Sequence, residues 1–249
     1  MKEDKAWQIW ERQPEVEGTL ELRAKGELPE MESTKQLVKL ISAVYQPGMR
    51  ILDAGCNVGH YLHGLRRLDP KVNYVGCDAY PYYIEKAKAL FEEDDRTTFL
   101  VKDIMRPLFP DNPFDIVYCC NVLLHLPYFE TPVRNLVAST KGVCFIRTLL
   151  GENTTIVKLV RNHTFSDAGE PLDYSFQNTY SLERVVHFVT TNLGCKVDVI
   201  EDEFRPQVID EEFQSVKQRT GTRIVDGKQV DGNIIFEWKF LRITRAREL

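Results

Sequence analysis

The chain has 249 residues, 43% of them apolar and 28% charged, with a formal net charge of −5 at neutral pH. That length and apolar content suffice for one large α/β core, and the acidic balance disfavours a polyanion as the first partner to consider. No apolar run of membrane-spanning length is present and the opening Met-Lys-Glu-Asp-Lys lacks the basic-then-apolar pattern of a secretory leader, so the expectation is a soluble cytoplasmic protein with no membrane partner.

Residues 1–47 are expected to form an amino-terminal helical cap segment. Ala6 to Leu28 carries Trp7, Trp10 and a Glu-rich stretch, and Pro29 introduces a helix whose Leu37, Leu40, Ile41 and Val44 follow the i, i+3, i+4, i+7 rule. Pro47-Gly48 ends it. Residues 48–249 then form a single domain, with 48–150 as its first half.

The run from Arg50 to His60 is a continuous apolar strand closing on Asp53, followed by a turn with Gly55 and Gly59 four apart. Unbroken aliphatic strands belong to parallel sheets covered on both faces, and the loop leaving the carboxyl end of such a strand lines the ligand crevice. Asn57 stands between the glycines, and asparagine tolerates positive φ. A second strand, Val72 to Asp78, ends in a carboxylate 19 residues after Gly59, near the spacing at which an acid meets a ribose diol. Pro81 then suits the first turn of a helix with Ile84, Ala87 and Phe91 inward. The third strand, Thr98 to Asp103, ends in an acid again, the fourth runs from Phe114 to Asn121, and the fifth from Gly142 to Leu149.

These strand ends resemble the class I S-adenosylmethionine-dependent methyltransferases, over roughly residues 48 to 150. The resemblance implies a Rossmann-like, doubly wound, mostly parallel seven-stranded sheet with an antiparallel last strand and helices on both faces. It also implies S-adenosyl-L-methionine as cofactor and S-adenosyl-L-homocysteine as product. By it, Asp53 and the Gly55, Cys56, Asn57, Gly59 loop approach the methionine moiety, and Asp78, with Ala79 beside it, accepts from both ribose hydroxyls. Asp103 holds the adenine amino group between Ile104 and Tyr80, and Asn121 and Val122 place backbone against methionine and ribose. Asn57 is the departure, since a third glycine is common there. A nicotinamide dinucleotide is the rival occupant, but it prefers G-x-G-x-x-G and this chain has G-x-x-x-G.

Residues 151–179 lack clean periodicity beyond Ile156 to Val160 and are rich in polar and aromatic residues; a connection of that length is expected to bind the acceptor, with a surface insertion as the alternative. Residues 180–249 supply a helix capped by Ser181, running to Asn192 before Gly194, and two edge strands, Lys196 to Val199 and Ile234 to Thr244, joined by a long link from Arg205 to Gly232.

Three side chains are candidates for catalysis. His125, just past the fourth strand, and His163, in the 151–179 segment, are possible bases for an alcohol or phenol acceptor. Arg147 would bind an acidic acceptor, or else pair with a neighbouring acid. Six cysteines, at 56, 77, 119, 120, 144 and 195, fall in or beside strands and are expected to be reduced core residues; no spacing suggests a metal site. Cys119 and Cys120 should face opposite sides of their strand.

The function expected is methyl transfer to the oxygen or nitrogen of a small-molecule acceptor, a metabolite or biosynthetic intermediate. The competing class is an RNA- or protein-directed methyltransferase, or an inactive cofactor-binding module. Its support is the basic stretch with Lys217, Arg219, Arg223, Lys228, Lys239, Arg242, Arg245 and Arg247, interrupted by Asp226, Asp231 and Glu237.

Overall fold

The computed structural model describes residues 14–160, 165–171, 174–204, 222–225, 228–231 and 234–245. Two helices lead, α1 (Pro14–Ala24) and α2 (Glu32–Ser42). Then come β1 (Arg50–Ala54), α3 (Leu62–Leu68), β2 (Asn73–Asp78), α4 (Pro81–Leu90), β3 (Thr97–Val101), β4 (Phe114–Cys120), α5 (Glu130–Ala138) and β5 (Thr140–Gly151), strands and helices alternating except between β3 and β4. After β5 come a hairpin of β6 (Lys158–Val160) and β7 (Tyr174–Phe176), the short β8 (Tyr180–Ser181), α6 (Leu182–His187) and β9 (Cys195–Glu201). The chain closes with β10 (Thr222–Val225), β11 (Lys228–Asp231), β12 (Ile234–Ile235) and β13 (Trp238–Arg245).

The main sheet runs β3-β2-β1-β4-β5-β13-β9, with β8 paired to β5 off that path. The pairs among β1 to β5 are parallel, and β13 is antiparallel to both β5 and β9. This is the doubly wound sheet with an antiparallel last strand that the resemblance implied. One face packs Leu37 and Ile41 of α2, Leu62 and Leu65 of α3, and Ile84 and Ala87 of α4. The other packs Val133 and Leu136 of α5 and Val185 of α6. Strand alternation sends Cys119 to the second face and Cys120 to the first. All six cysteines are buried and unbridged. Pro81 opens α4 at its first turn as expected, and the Ser181 hydroxyl accepts from the Arg184 N–H at the start of α6. No helix among the described residues is long and apolar enough to cross a membrane.

The direction of the strands decides where function gathers. β1, β2, β4 and β5 deliver Asp53, Asp78, Asn121 and Leu149 to one edge of the sheet. Because β13 runs the other way, its first residue, Trp238, pairs with Leu149 at that same edge, and Glu201 at the end of β9 lies opposite Lys239.

Two features differ from the sequence reading. The last strand begins at Trp238, because Ile234 and Ile235 pair with β11 in a separate three-stranded sheet, β10-β11-β12. Residues 151–179 contain an antiparallel hairpin, with Val160 opposite Tyr174 and Lys158 opposite Phe176. Its base is tied to the turn that follows β4. The Asn178 N–H donates to the Leu124 carbonyl at 2.8 Å and its side-chain amide to the Leu126 carbonyl at 2.8 Å, while its Oδ1 accepts from the Val157 N–H at 3.0 Å. The Tyr180 hydroxyl lies against the carbonyls of Leu123 and Leu126. Asn178 is fully buried, so its truncation strands backbone groups away from water at about 1–3 kcal/mol each. Asn178→Ala should lower the unfolding free energy by about 2–3 kcal/mol, read as a lower urea midpoint; an unchanged midpoint would show that water replaces the amide.

Candidate active site

The glycine loop takes its shape from backbone requirements. Gly55 (φ +86°) and Gly59 (φ +81°) are left-handed, and Asn57 joins them at φ +50°. A Cβ on Gly55 would come within 2.3 Å of Val122 Cγ2, so this glycine is demanded by conformation and by contact with the β4 exit. Asn57 meets its own demand locally: its Oδ1 accepts from the Val58 N–H at 2.8 Å. Helix α1 lies against this loop, with Ala24 and Leu20 packed on Val58, Tyr83 and Tyr80, and Glu21 reaches Lys86 at 3.3 Å.

The three carboxylates of the edge have different environments. Asp78 is half-buried, and its two oxygens accept from the backbone N–H groups of Asn57 and Tyr80, each at 3.0 Å. Burial raises its pKa, while those N–H groups and that of Ala79 oppose the rise. Asp103 Oδ1 accepts from the Met105 N–H at 2.8 Å, shaping the turn after β3, and Ile104 beside it is buried. Asp53 is a correction: expected to approach the methionine moiety, it is 1% exposed inside the sheet. It accepts from the Tyr74 hydroxyl at 2.7 Å. Burial pushes its pKa up to about 7, the Tyr74 and Tyr118 hydroxyls pull it down, and the Asp78 charge adds to the rise. The Tyr118 hydroxyl is itself buried.

The same burial raises the thiols of Cys56, Cys119 and Cys120. These cysteines are packing residues, not nucleophiles.

Asn121 leaves β4 in a left-handed conformation, φ +61°. Its N–H donates to the Arg147 carbonyl at 2.9 Å, and its Oδ1 accepts from Arg147 Nη1. Arg147 is the second correction. It is 5% exposed, its Nε donates to Asp202 Oδ2 at 2.6 Å, and its guanidinium lies 4.1 Å over the Trp238 ring. Its bidentate capacity is taken up inside the protein, so it does not receive an acidic acceptor but positions Asn121. His125 sits on the turn after Asn121, and its Nδ1 is 3.0 Å from the Phe176 carbonyl. A carbonyl only accepts, so Nδ1 carries the proton and Nε2 is the basic nitrogen of the neutral ring. His163 lies outside the described residues.

Three of the described basic residues are engaged within the fold. Lys239 pairs with Glu201 at 2.7 Å, Arg245 leans on the Val137 carbonyl, and Arg242 keeps its Nε buried. Lys217, Arg219 and Arg247 lie outside the described residues. Tyr74, Tyr118, Asn178, Tyr180 and Asp202 were not singled out by the sequence. Tyr74 and Tyr118 carried a signal, each a polar aromatic within a largely apolar strand.

Residues 51–142 match the family model described as "Methyltransferase domain". That stretch is therefore similar to a methyltransferase domain. Sterol 24-C-methyltransferase of Yarrowia lipolytica (strain CLIB 122 / E 150) is 36% identical over 88 residues, covering 34% of this chain and 23% of that protein. 2-Methyl-6-phytyl-1,4-hydroquinone methyltransferase of Synechocystis sp. (strain ATCC 27184 / PCC 6803 / Kazusa) is 33% identical over 81 residues, 32% of this chain and 25% of that protein. The chain thus matches about a quarter of the length of these curated relatives. Among solved structures, an O-methyltransferase from a trans-AT PKS multienzyme of Brevibacillus brevis, in complex with S-adenosyl-L-homocysteine, aligns with TM-score 0.57 at 13% identity, over 87% of this chain and 73% of that one. At that identity the likeness is one of fold. The methyltransferase-domain match falls on β1 to the start of β5, the stretch that the resemblance covered.

Asp53 makes stability depend on pH with a definite sign. Its carboxyl ionises near 3.8 when unfolded and near about 7 when folded, so between those values the folded state holds a proton that the unfolded state has lost. Stability contributed at this site therefore falls as pH rises from about 4 to about 7 and is level above. Asp53→Asn removes the dependence. Its stability relative to the parent should grow between pH 4.5 and pH 8 by a few kcal/mol in urea titrations; a constant difference would mean that Asp53 does not titrate in that window.

Proposed function

We propose that this protein is an S-adenosylmethionine-dependent methyltransferase whose acceptor is a small molecule. The observation that carries the reading is Asp78: both its oxygens are anchored from within by backbone N–H groups of the glycine loop and of the turn into α4, which leaves outward lone pairs for a vicinal diol. A 2′-phosphate would be repelled there. Gly55 leaves space that any Cβ would fill, and Asp103 supplies an acceptor for an exocyclic amine. Ile104 and Tyr80 flank the adenine position, Cys56, Gly59 and Ala79 complete the loop side, and Asn121 and Val122 line the methionine side. These residues fit the cofactor by chemistry, and the methyltransferase-domain match over 51–142 agrees.

When bound, S-adenosylmethionine supplies an activated methyl group on a sulfonium. The chain's own residues do the rest by positioning. Asn121, held by Arg147, sets the backbone of the β4 exit; α1 on Val58 and Tyr83 excludes water from the loop. A hydroxyl acceptor would also have to give up its proton to a base of the chain. His125, with Nδ1 tied to Phe176, is the base we assign for a hydroxyl acceptor. Oxygen or nitrogen is the expected atom, although the sterol relative is named as a 24-C-methyltransferase.

The relatives named for small acceptors, a sterol and a hydroquinone enzyme, support the small-molecule class over RNA. Asp78→Ala should weaken S-adenosylhomocysteine binding at least tenfold in calorimetric titration, since hydrogen bonds to a charged group contribute about 1.5–3 kcal/mol each; unchanged affinity would remove Asp78 from the site. With methyl-labelled cofactor and a cell extract, label is expected in the small-molecule pool. Label confined to RNA or protein would overturn the acceptor class.

A further inference from the structure

A cavity of about 270 Å³ opens between the ends of β9 and β13 and the three-stranded sheet. Topology puts it at the functional edge: β13 starts there at Trp238 opposite Leu149, and β9 ends there at Glu201. Phe236 and Trp238 line it with rings 5.9 Å apart and nearly parallel, at 19°. Gln229, 9% exposed, accepts from the Trp238 indole N–H at 3.4 Å. The Trp238 ring also carries the Arg147 guanidinium that holds Asn121. One guanidinium therefore separates this aromatic wall from the β4 exit.

The charges around the cavity nearly cancel. Asp202 is paired with Arg147 at 2.6 Å and Glu201 with Lys239 at 2.7 Å, and exposed Glu237 and Lys228 add one charge of each sign. An ion gains little from such a lining, whereas a ring gains stacking area and a hydroxyl or amine gains polar partners. Size narrows the class further. At about 270 Å³ the cavity falls just below the ~300–1,000 Å³ typical of drug-sized sites, which suits one or two rings and not a fused four-ring skeleton.

We propose that this cavity is the acceptor site and that the acceptor is a planar aromatic molecule of one or two rings bearing a hydroxyl or an amine. The assignment rests on the methyltransferase reading above. It moves acceptor recognition from residues 151–179, where sequence length alone put it, to the link between β9 and β13.

The test is calorimetry of the full chain saturated with S-adenosylhomocysteine, titrated with 2-naphthol and with its saturated counterpart decahydro-2-naphthol. Saturable 2-naphthol binding, at least fivefold tighter than the saturated alcohol, is expected. Trp238→Leu should abolish that preference, and Phe236→Leu, at a partly exposed position, should reduce it should the first variant fail to fold. No saturable naphthol binding, or a preference that survives in a folded variant, overturns the proposal. Failure of S-adenosylhomocysteine itself to bind the parent protein would instead sink the methyltransferase reading, so the two failures are distinct.

Discussion

The structure around the functional edge depends on one buried cation. A guanidinium taken out of water is tolerated only when its charge and its donors are met, and Arg147 meets them with partners from three separate places. Asp202 comes from just beyond β9, Asn121 from the β4 exit, and the Trp238 face from the start of β13. The left-handed turn at Asn121, the close of β9 and the position where β13 enters the sheet are thereby coupled. Removing one partner leaves an uncompensated charge in the core, which is why the three segments must hold their places together.

A second constraint concerns negative charge. Three acids at adjacent strand ends would repel one another if all were ionised and exposed. The fold separates them by environment: Asp53 goes inside among tyrosine hydroxyls, where burial raises its pKa to about 7, Asp78 is held by backbone N–H groups, and Asp103 shapes its own turn. Asp78 is the acceptor anchored through both of its oxygens. Tyr74 and Tyr118 matter because they make a buried carboxyl at the end of β1 tolerable.

The two long connections after β5 divide their work. Residues 151–179 are stitched to the β4 exit through Asn178, Tyr180 and the contact of His125 with Phe176. They act as a brace that holds a histidine in one tautomer. The link before β13 builds a second small sheet against the functional edge and closes a cavity there.

The sequence by itself determined the parallel sheet, its strand ends and the glycine loop, because these are local: unbroken aliphatic runs, glycine spacing and the positive φ of Asn57 depend on neighbours along the chain. It also foretold the opposite facing of Cys119 and Cys120 from the two-residue period. What it did not determine was the environment of each charge. Whether Asp53 lies at a rim or inside, and whether Arg147 meets a ligand or Asp202, is decided by residues 21 to 55 positions away in the chain. The same holds for the cavity beside Trp238, whose walls come from strands that meet only when β13 turns back between β5 and β9. Burial and pairing are tertiary quantities, and here they decide which polar residues serve chemistry and which hold the fold.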